Sequence, residues 1–309
     1  MDAAVFGLIV ADLIAEPFDL RRPPPPGALV LCNSIRLTTG GNVCNTGIAM
    51  AKMGLSVAAA GLVGEDVLGA TLTAELREAG VDTSAVFPTP GVQTSATVVA
   101  VEPGGERCFF HTTGANSRLD AAAFRRCLPT LARCRWVQVG YFGLLQSLTP
   151  DLPDLIAELR HAAPGVKVAL DTVNPPGSRA DLDPILPHLD LFAPSRTEAV
   201  ALTGDTDPAR MVASFRRHMP RGVIGIKLDA EGCYLDDGAA ATFVPACRVD
   251  VVDTTGAGDS WFGGLLAALI KGMPLRAAGA FANRVAADCC TALGASAGVR
   301  SFEDTVARA

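Results

Sequence analysis

Charge is scarce in this chain: 19% of its 309 residues are charged, and the net charge is −6. That leaves no basic surface for a nucleic acid or an anionic membrane, so an anionic ligand has to be held by a local device rather than by a global field. Long hydrophobic runs are missing as well, and no apolar stretch approaches the ~18–20 residues needed to span a bilayer. The segment Met1–Val10 lacks a basic leading region and its apolar run stops at Asp12, which reads as a first strand rather than a secretion signal. Histidine is rare, at four, and none joins the nine cysteines in zinc-ligand spacing; no cysteine pair is spaced C-x-x-C. The odd, scattered cysteines read as small buried hydrophobes of a reducing compartment. What the chain has in plenty is apolar residues, 49% of the total, enough to bury a core that offsets ordering entropy. Its length suits one large domain or two ordinary ones. The expectation is a cytoplasmic protein that binds neither nucleic acid nor membrane.

Along the chain, short apolar runs alternate with helical stretches. Trp136–Phe142, Val166–Asp171, Asp190–Ala193 and Gly222–Leu228 read as strands. Helices are expected near Thr149–Ala162, Arg196–Thr203 and Pro208–His218. This rhythm predicts an α/β fold with right-handed crossovers and a parallel sheet buried on both faces. Two segments break it. Residues 11–39 hold a stiff Pro23–Pro26 run followed by strand-like Ala28–Leu37. Residues 93–113 read as a hairpin turning at Glu102–Glu106. Together these segments are expected to form a small antiparallel sheet beside the main one.

Two constellations carry chemistry. In Val251–Leu266, Gly256-Ala257-Gly258 precedes helical spacing that runs to Ile270. Two glycines at a helix N-terminus let bare N–H groups converge where the helix dipole favours negative charge, an anion hole suited to phosphate oxygens. Asp259, in the first turn, is placed to accept a proton from a hydroxyl attacking a bound phosphoryl group. The same four residues alone would also fit an ordinary capped helix. The second constellation is Thr38–Gly54, where Gly40-Gly41 opens a helix that Gly54 closes. Asn42 and Asn45, three apart, share a face of its first turn, and amides that both donate and accept suit a polyol. A helix capped by asparagine explains the pattern equally.

The pair GGNVCNTGIAMAKMG and DTTGAGDSWFGGLL resembles the two signatures of the ribokinase (PfkB-type) carbohydrate kinase family. Gly7 and Asp12 look like the family's first strand and substrate-binding aspartate. Gly61–Gly69 matches its G-x-x-G-x-D-x-x-G element, and His111–Asn116 resembles the lid-return segment of its sugar kinases. The resemblance covers nearly the whole chain. It implies one ribokinase-like domain over 1–309, a three-layer α/β/α core with a mainly parallel central sheet, and a small β-sheet lid formed by 11–39 and 93–113. It also implies roles: Asp259 as base, with Gly256, Ala257 and Gly258 as anion hole. Asp12, Gly40, Gly41 and Asn45 would hold the sugar, with Asn42 adjacent. Lys227, Asp229, Gly232 and Asn283 would line the nucleotide pocket. ATP and Mg2+ are the implied cofactors, with Glu198 reaching the magnesium through water. Asp253 and Thr255 match positions that bind a monovalent cation, K+, in some members.

The chain also departs from the pattern. The N-x-x-E motif stands as Ser195-Arg196-Thr197-Glu198, Asp229 replaces a common glycine, and Asp171–Pro176 resembles D-x-N-x-R with Pro176 for the arginine. Lysine is common at position 42 in the ribokinase and phosphosugar-kinase branches; Asn42 disfavours an already phosphorylated acceptor, whose dianion would want Lys or Arg. The expected activity is ATP-dependent phosphorylation of a hydroxymethyl group on an unphosphorylated sugar, with a nucleoside as the alternative acceptor. A catalytically silent sugar- or nucleotide-binding protein is the reading from another class. A dinucleotide oxidoreductase is set aside, because no G-x-G-x-x-G follows the first strand. A homodimer paired through the edges of the lid sheet is the expected assembly.

Overall fold

The strand β1 (Ala3–Gly7) is buried throughout, and its side chains alternate between two cores: Ala4 and Phe6 enter one apolar cluster, Ala3 and Val5 the other. Alternation of this kind requires a sheet covered on both faces, and a computed structural model of the chain shows one. It describes residues 1–19, 22, 24–102 and 108–309, together with the backbone but not the side chain of Arg107.

Numbered along the chain, the next strands are β2 (Val10–Glu16), β3 (Ser34–Gly40), β4 (Val57–Gly64), β5 (Asp82–Thr89), β6 (Ala96–Val101) and β7 (Arg107–Thr112). They are followed by β8 (Trp136–Gly140), β9 (Lys167–Leu170), β10 (Leu191–Phe192), β11 (Val223–Lys227), β12 (Gly232–Asp236) and β13 (Ala241–Pro245). Nine of them form the central sheet in the order β13-β12-β11-β10-β9-β8-β1-β4-β5. Pairing is parallel from β11 to β5, and antiparallel only where β12 and β13 are added at one edge. Helices such as Gly41–Lys52 and Ala257–Ile270 cover one face, Ala121–Leu131 and Leu152–Ala162 the other. No helix among the described residues is long and apolar enough to cross a membrane.

The helix over Arg196–Thr203 falls where its residues predict it, begun by a Ser195–Glu198 capping box and ended by Gly204 at φ 71°. Other boundaries contract. The apolar run Trp136–Phe142 pairs as a strand only to Gly140, and Thr149–Asp151 forms a separate tight turn before the helix Leu152–Ala162.

Residues from the two irregular segments do build a second sheet, in the order β3-β2-β6-β7. Contrary to expectation it is mixed: β2 and β6 run parallel, and the outer pairs are antiparallel. The reason lies in the core. β2 and β6 follow β1 and β5, parallel members of the central sheet, so both leave at the C-terminal end of its strands and arrive pointing the same way. The strand within Ala28–Leu37 is also displaced, to Ser34–Gly40, because pairing ends at Glu16↔Ser34, with Asn33 N–H making a last bond to Glu16 O at 2.8 Å. Residues 20, 21 and 23 of the proline-rich connector and 103–106 of the hairpin turn lie outside the described residues.

Candidate active site

The C-terminal ends of the parallel strands converge on a cavity of about 1160 Å³ lined by Tyr141, Asp171, Glu198, Lys227 and Asp259. Open parallel sheets bind ligands in this place, where strands stop and loops diverge. Tyr141 follows β8, Asp171 follows β9, and Lys227 ends β11.

Asp259 sits in the first turn of the helix Ala257–Ile270, 7% exposed. Asn45 Nδ2 donates to its Oδ2 at 2.9 Å, and the Tyr141 hydroxyl reaches Oδ1 and Oδ2 at 2.9 and 2.7 Å. Burial raises the Asp259 pKa above the ordinary carboxylate value; the Asn45 and Tyr141 donors and the charge of Lys227 pull it partly back. The carboxylate is thus a stronger base than a surface aspartate. Before it, Gly256 holds φ 71°, and a Cβ there would collide with the Ala295 carbonyl, so the turn that presents Gly256-Ala257-Gly258 to the cavity requires glycine. The first N–H groups of a helix have no partner within it; that of Ala257 donates to Thr254 O at 3.2 Å, unlike the anion-hole role expected of it, while Gly256 and Gly258 line the pocket beside an ammonium.

That ammonium is Lys227, whose Nζ donates to Asp171 Oδ1 at 2.8 Å. Burial works against its charge, but the Asp171 and Glu198 carboxylates hold its pKa above the usual value. Asp171, 1% exposed, is pushed up to about 7 by burial despite Lys227, with Asp259 and Glu198 adding to the rise. Burial also opposes ionisation of Glu198. It is outweighed by Lys227, by the Thr172 hydroxyl at 2.6 Å and by Ser195 N–H at 2.7 Å, which leave the pKa below the ordinary value. Both of these bonds fall on Oε2. Ser195 therefore spends its hydroxyl on the helix cap, where the motif's amide would have stood.

A second wall lies across Asp259, where the small sheet meets the helix Gly41–Lys52. Asp12 on β2, Thr97 on β6 and His111 on β7 stand in cross-strand register. The Thr97 hydroxyl lies 3.1 Å from His111 Nδ1. Burial raises the Asp12 pKa, with Thr97 and the charge of His111 opposing. A Cβ on Gly40 would collide with the Asp12 carboxylate, so glycine here lets Asp12 pack against the start of that helix. Gly41 opens the helix and Asn45 lies one turn on, with its Oδ1 buried and without a partner among the described residues.

Three expected ligand residues are turned elsewhere. Asn42 is fully buried: its Oδ1 accepts from Leu8 N–H at 2.9 Å and its Nδ2 donates to Phe6 O at 3.2 Å. β1 stops at Gly7, and Asn42 satisfies the backbone groups beside that end rather than facing the acceptor wall. Asn283 borders the cavity, but its Oδ1 accepts from Trp261 Nε1 and its Nδ2 donates to Val244 O and Pro245 O. Asp253 Oδ1 accepts from Thr255 N–H and Oγ1–H, and Oδ2 accepts from Gly294 N–H, tying two loops together. Asp229 and Gly232 do line the cavity.

Asp229 is the one non-glycine among the described residues at positive φ, 53°. An L-residue there costs about 1 kcal/mol. Asp229→Gly is expected to raise Tm by about 2 °C; calorimetry showing a lower Tm would mean the aspartate side chain is needed to hold the turn.

Tyr141 and Asp171 are the residues that motif reading left unassigned. Asp171 headed the D-x-N-x-R-like motif without a role, and the signal for Tyr141 was positional: a polar group one residue past a buried parallel strand.

A family model described as pfkB family carbohydrate kinase matches residues 2–301. The ribokinase of Haemophilus influenzae is 27% identical over 307 residues, covering 98% of this chain and 96% of that protein. The structure of Arabidopsis thaliana ribokinase complexed with ribose and ATP superimposes with a TM-score of 0.81 at 22% identity, covering 99% of this chain and 97% of that one. An E. coli structure described as ribokinase II, in complex with ATP and Mg2+, gives a TM-score of 0.83 at 19% identity over 100% of this chain and 99% of that one.

Proposed function

The chain belongs to the pfkB family of carbohydrate kinases, and from that premise we propose that it transfers the γ-phosphoryl group of ATP to a hydroxymethyl group of an unphosphorylated sugar. The observation that carries this reading is the Asp259 carboxylate, buried between a cavity large enough for a nucleotide and the acceptor wall of Asp12 and Asn45.

Asp259 takes the proton of the acceptor hydroxyl as its oxygen attacks the γ-phosphorus. The N–H groups of Gly256 and Gly258 and the Lys227 ammonium hold the charge on the moving phosphoryl oxygens. Asp12 accepts from sugar hydroxyls. The buried Oδ1 of Asn45 is the acceptor atom that a further hydroxyl would satisfy. The adenosine portion would lie along Asp229, Gly232 and the Asn283 wall.

Mg2+ fits the donor set. Among the described residues no three His, Cys, Asp or Glu side chains are grouped to hold a metal alone. Magnesium commonly keeps its waters and takes one or two carboxylates plus phosphates, and Glu198, beside Asp171 at the cavity wall, would hold it through water. When bound, it would neutralise charge on the β- and γ-phosphates.

We read residues 1–309 as one kinase domain, with 11–39 and 93–113 forming its lid. The side of the small sheet facing away from Asp12 carries Ile35, Leu37, Val98 and Phe110, all exposed, which supports pairing of two copies through the lid. The nine cysteines are free thiols, which supports a reducing, cytoplasmic compartment.

One observation favours a nucleoside as second reading. The two-residue repeat of β7 puts Phe109, 61% exposed, on the same face as His111 and Asp12, where a base would stack. The test is ADP formation across sugars and nucleosides, run in K+ and in Na+. A simple pentose or hexose is expected to stimulate turnover at least tenfold more than any nucleoside. Stimulation by nucleosides alone would transfer the assignment to them, no stimulation by any acceptor would support the silent binding protein, and equal rates in the two salts would remove the Asp253–Thr255 cation.

A further inference from the structure

The base has a stopper. The Tyr141 hydroxyl, with a single proton, lies within hydrogen-bond distance of both Asp259 oxygens, and Asn45 occupies Oδ2 from the other side. A carboxylate has about four lone-pair positions and these two donors leave some of them open, but the phenol oxygen stands at hydrogen-bonding distance from the carboxylate, where an attacking hydroxyl would have to come. Asn45 belongs to a buried helix turn. Tyr141 instead sits past the last residue of β8, on the wall of the cavity, with its backbone steadied by the following Phe142 N–H bonded to Asp171 O at 3.0 Å. It is the donor whose side chain has room to leave.

We infer that Tyr141 guards Asp259 against water: while the acceptor site is empty its hydroxyl occupies the place beside the carboxylate that an attacking hydroxyl needs, and only a polyol anchored elsewhere displaces it. This rests on the kinase reading above. In the wasteful reaction a water oxygen bonds to the γ-phosphorus and its proton passes to Asp259. The bond from that phosphorus to the β–γ bridging oxygen breaks, and ADP and inorganic phosphate leave. Water can meet Asp259 and Asn45 Oδ1 but has no frame that reaches Asp12 as well, so it does not offset the lost phenol–carboxylate bond. A sugar does, through Asp12 and the unpartnered Asn45 Oδ1, and binding energy gained away from the reacting atom is what such discrimination requires. Burial and the neighbouring Asp259 charge hold the phenol pKa well above its ordinary value, so Tyr141 remains a donor at working pH. Tyr141 acts through Asp259 and is a positioning residue.

The test separates leak from transfer. In Tyr141→Phe, phosphate release from ATP without acceptor is expected to rise roughly tenfold relative to sugar-dependent turnover; a merely structural lesion lowers both together, and an unchanged ratio would overturn the guard. A second readout needs neither turnover nor a stable variant at position 141. The chain has two tyrosines, so fluorotyrosine labelling gives two 19F resonances. One of them is expected to move in Asp259→Asn and again when the acceptor saturates the wild-type enzyme without ATP. Two resonances indifferent to Asp259→Asn would remove the contact itself. If no acceptor in the panel is phosphorylated, the kinase reading fails, while the Asp259→Asn shift still decides whether the phenol holds the carboxylate.

Discussion

Asp259→Asn is expected to lower acceptor-dependent turnover by roughly 10²–10⁴-fold while leaving nucleotide binding nearly intact. The amide keeps the shape of the side chain but cannot take the proton that the attacking hydroxyl must lose, so the loss should appear in the turnover number rather than in KM. The same substitution should not weaken the fold. Asp259 is buried and its pKa is raised above the unfolded carboxylate value by desolvation, so the native state holds its proton more tightly than the unfolded chain. Stability from that preference is fully present below the unfolded pKa and is lost as pH rises through the folded one. At pH 8 the wild-type enzyme bears the cost of the buried charge, and the asparagine does not. Its Oδ1 still accepts from Asn45, and its amide donates to the phenol oxygen of Tyr141. The expected Tm at pH 8 is equal to or above that of wild type, by calorimetry on both proteins. The acid limb of the wild-type rate profile should lie above that of an ordinary aspartate for the same reason. A variant that keeps a tenth of the wild-type rate would remove Asp259 from the role of base.

Residues next to one another in sequence carried most of what could be read without coordinates. Gly256–Asp259 opens its helix as the glycines and the apolar spacing predict, and Ser195–Glu198 is a local cap that depends on no distant partner. Contacts set by sheet register were not legible. Asn42 and Asn45 share a helix face in projection, yet one turns to the end of β1 and the other to Asp259, because the neighbour below each lies more than thirty residues away. Tyr141 was hidden inside an apolar run that reads as unbroken strand. Where that strand stops is decided by its partner β1, whose last rung is Gly7↔Gly140. The direction of β6 beside β2 likewise follows from the core strands that precede them and not from either strand's own residues. Local chemistry singled out Asp259, and topology supplied the residues around it.

Lys227→Met carries the largest expected effect on the fold. Its ammonium lies 2.8 Å from Asp171 Oδ1, with the two side chains 12% and 1% exposed, and the charges of Glu198 and Asp259 act on it as well. Methionine fills a similar volume and removes the cation from among three carboxylates. Breaking a buried pair by deleting one partner costs about 3–5 kcal/mol, because the remaining charge is left uncompensated. The pH dependence follows from Asp171, whose pKa of about 7 lies above the unfolded carboxylate value of 3.8. Stability from its protonation is fully present below 3.8 and disappears as pH rises through 7. Without Lys227 that carboxyl titrates higher still, so near pH 6 it takes up a proton and the loss is blunted, whereas at pH 9 it is forced to ionise unpaired. Denaturant melts are therefore expected to show a larger deficit for the variant at pH 9 than at pH 6. Turnover should fall too, by roughly 10²–10³-fold, since a positioned donor to the transferring phosphoryl group is gone. Lys227→Arg keeps the charge, but a planar guanidinium does not fit the place of a compact ammonium, and it should restore stability more than rate. Equal melts at both pH values, with turnover intact, would mean that Lys227 neither balances Asp171 nor meets the phosphate.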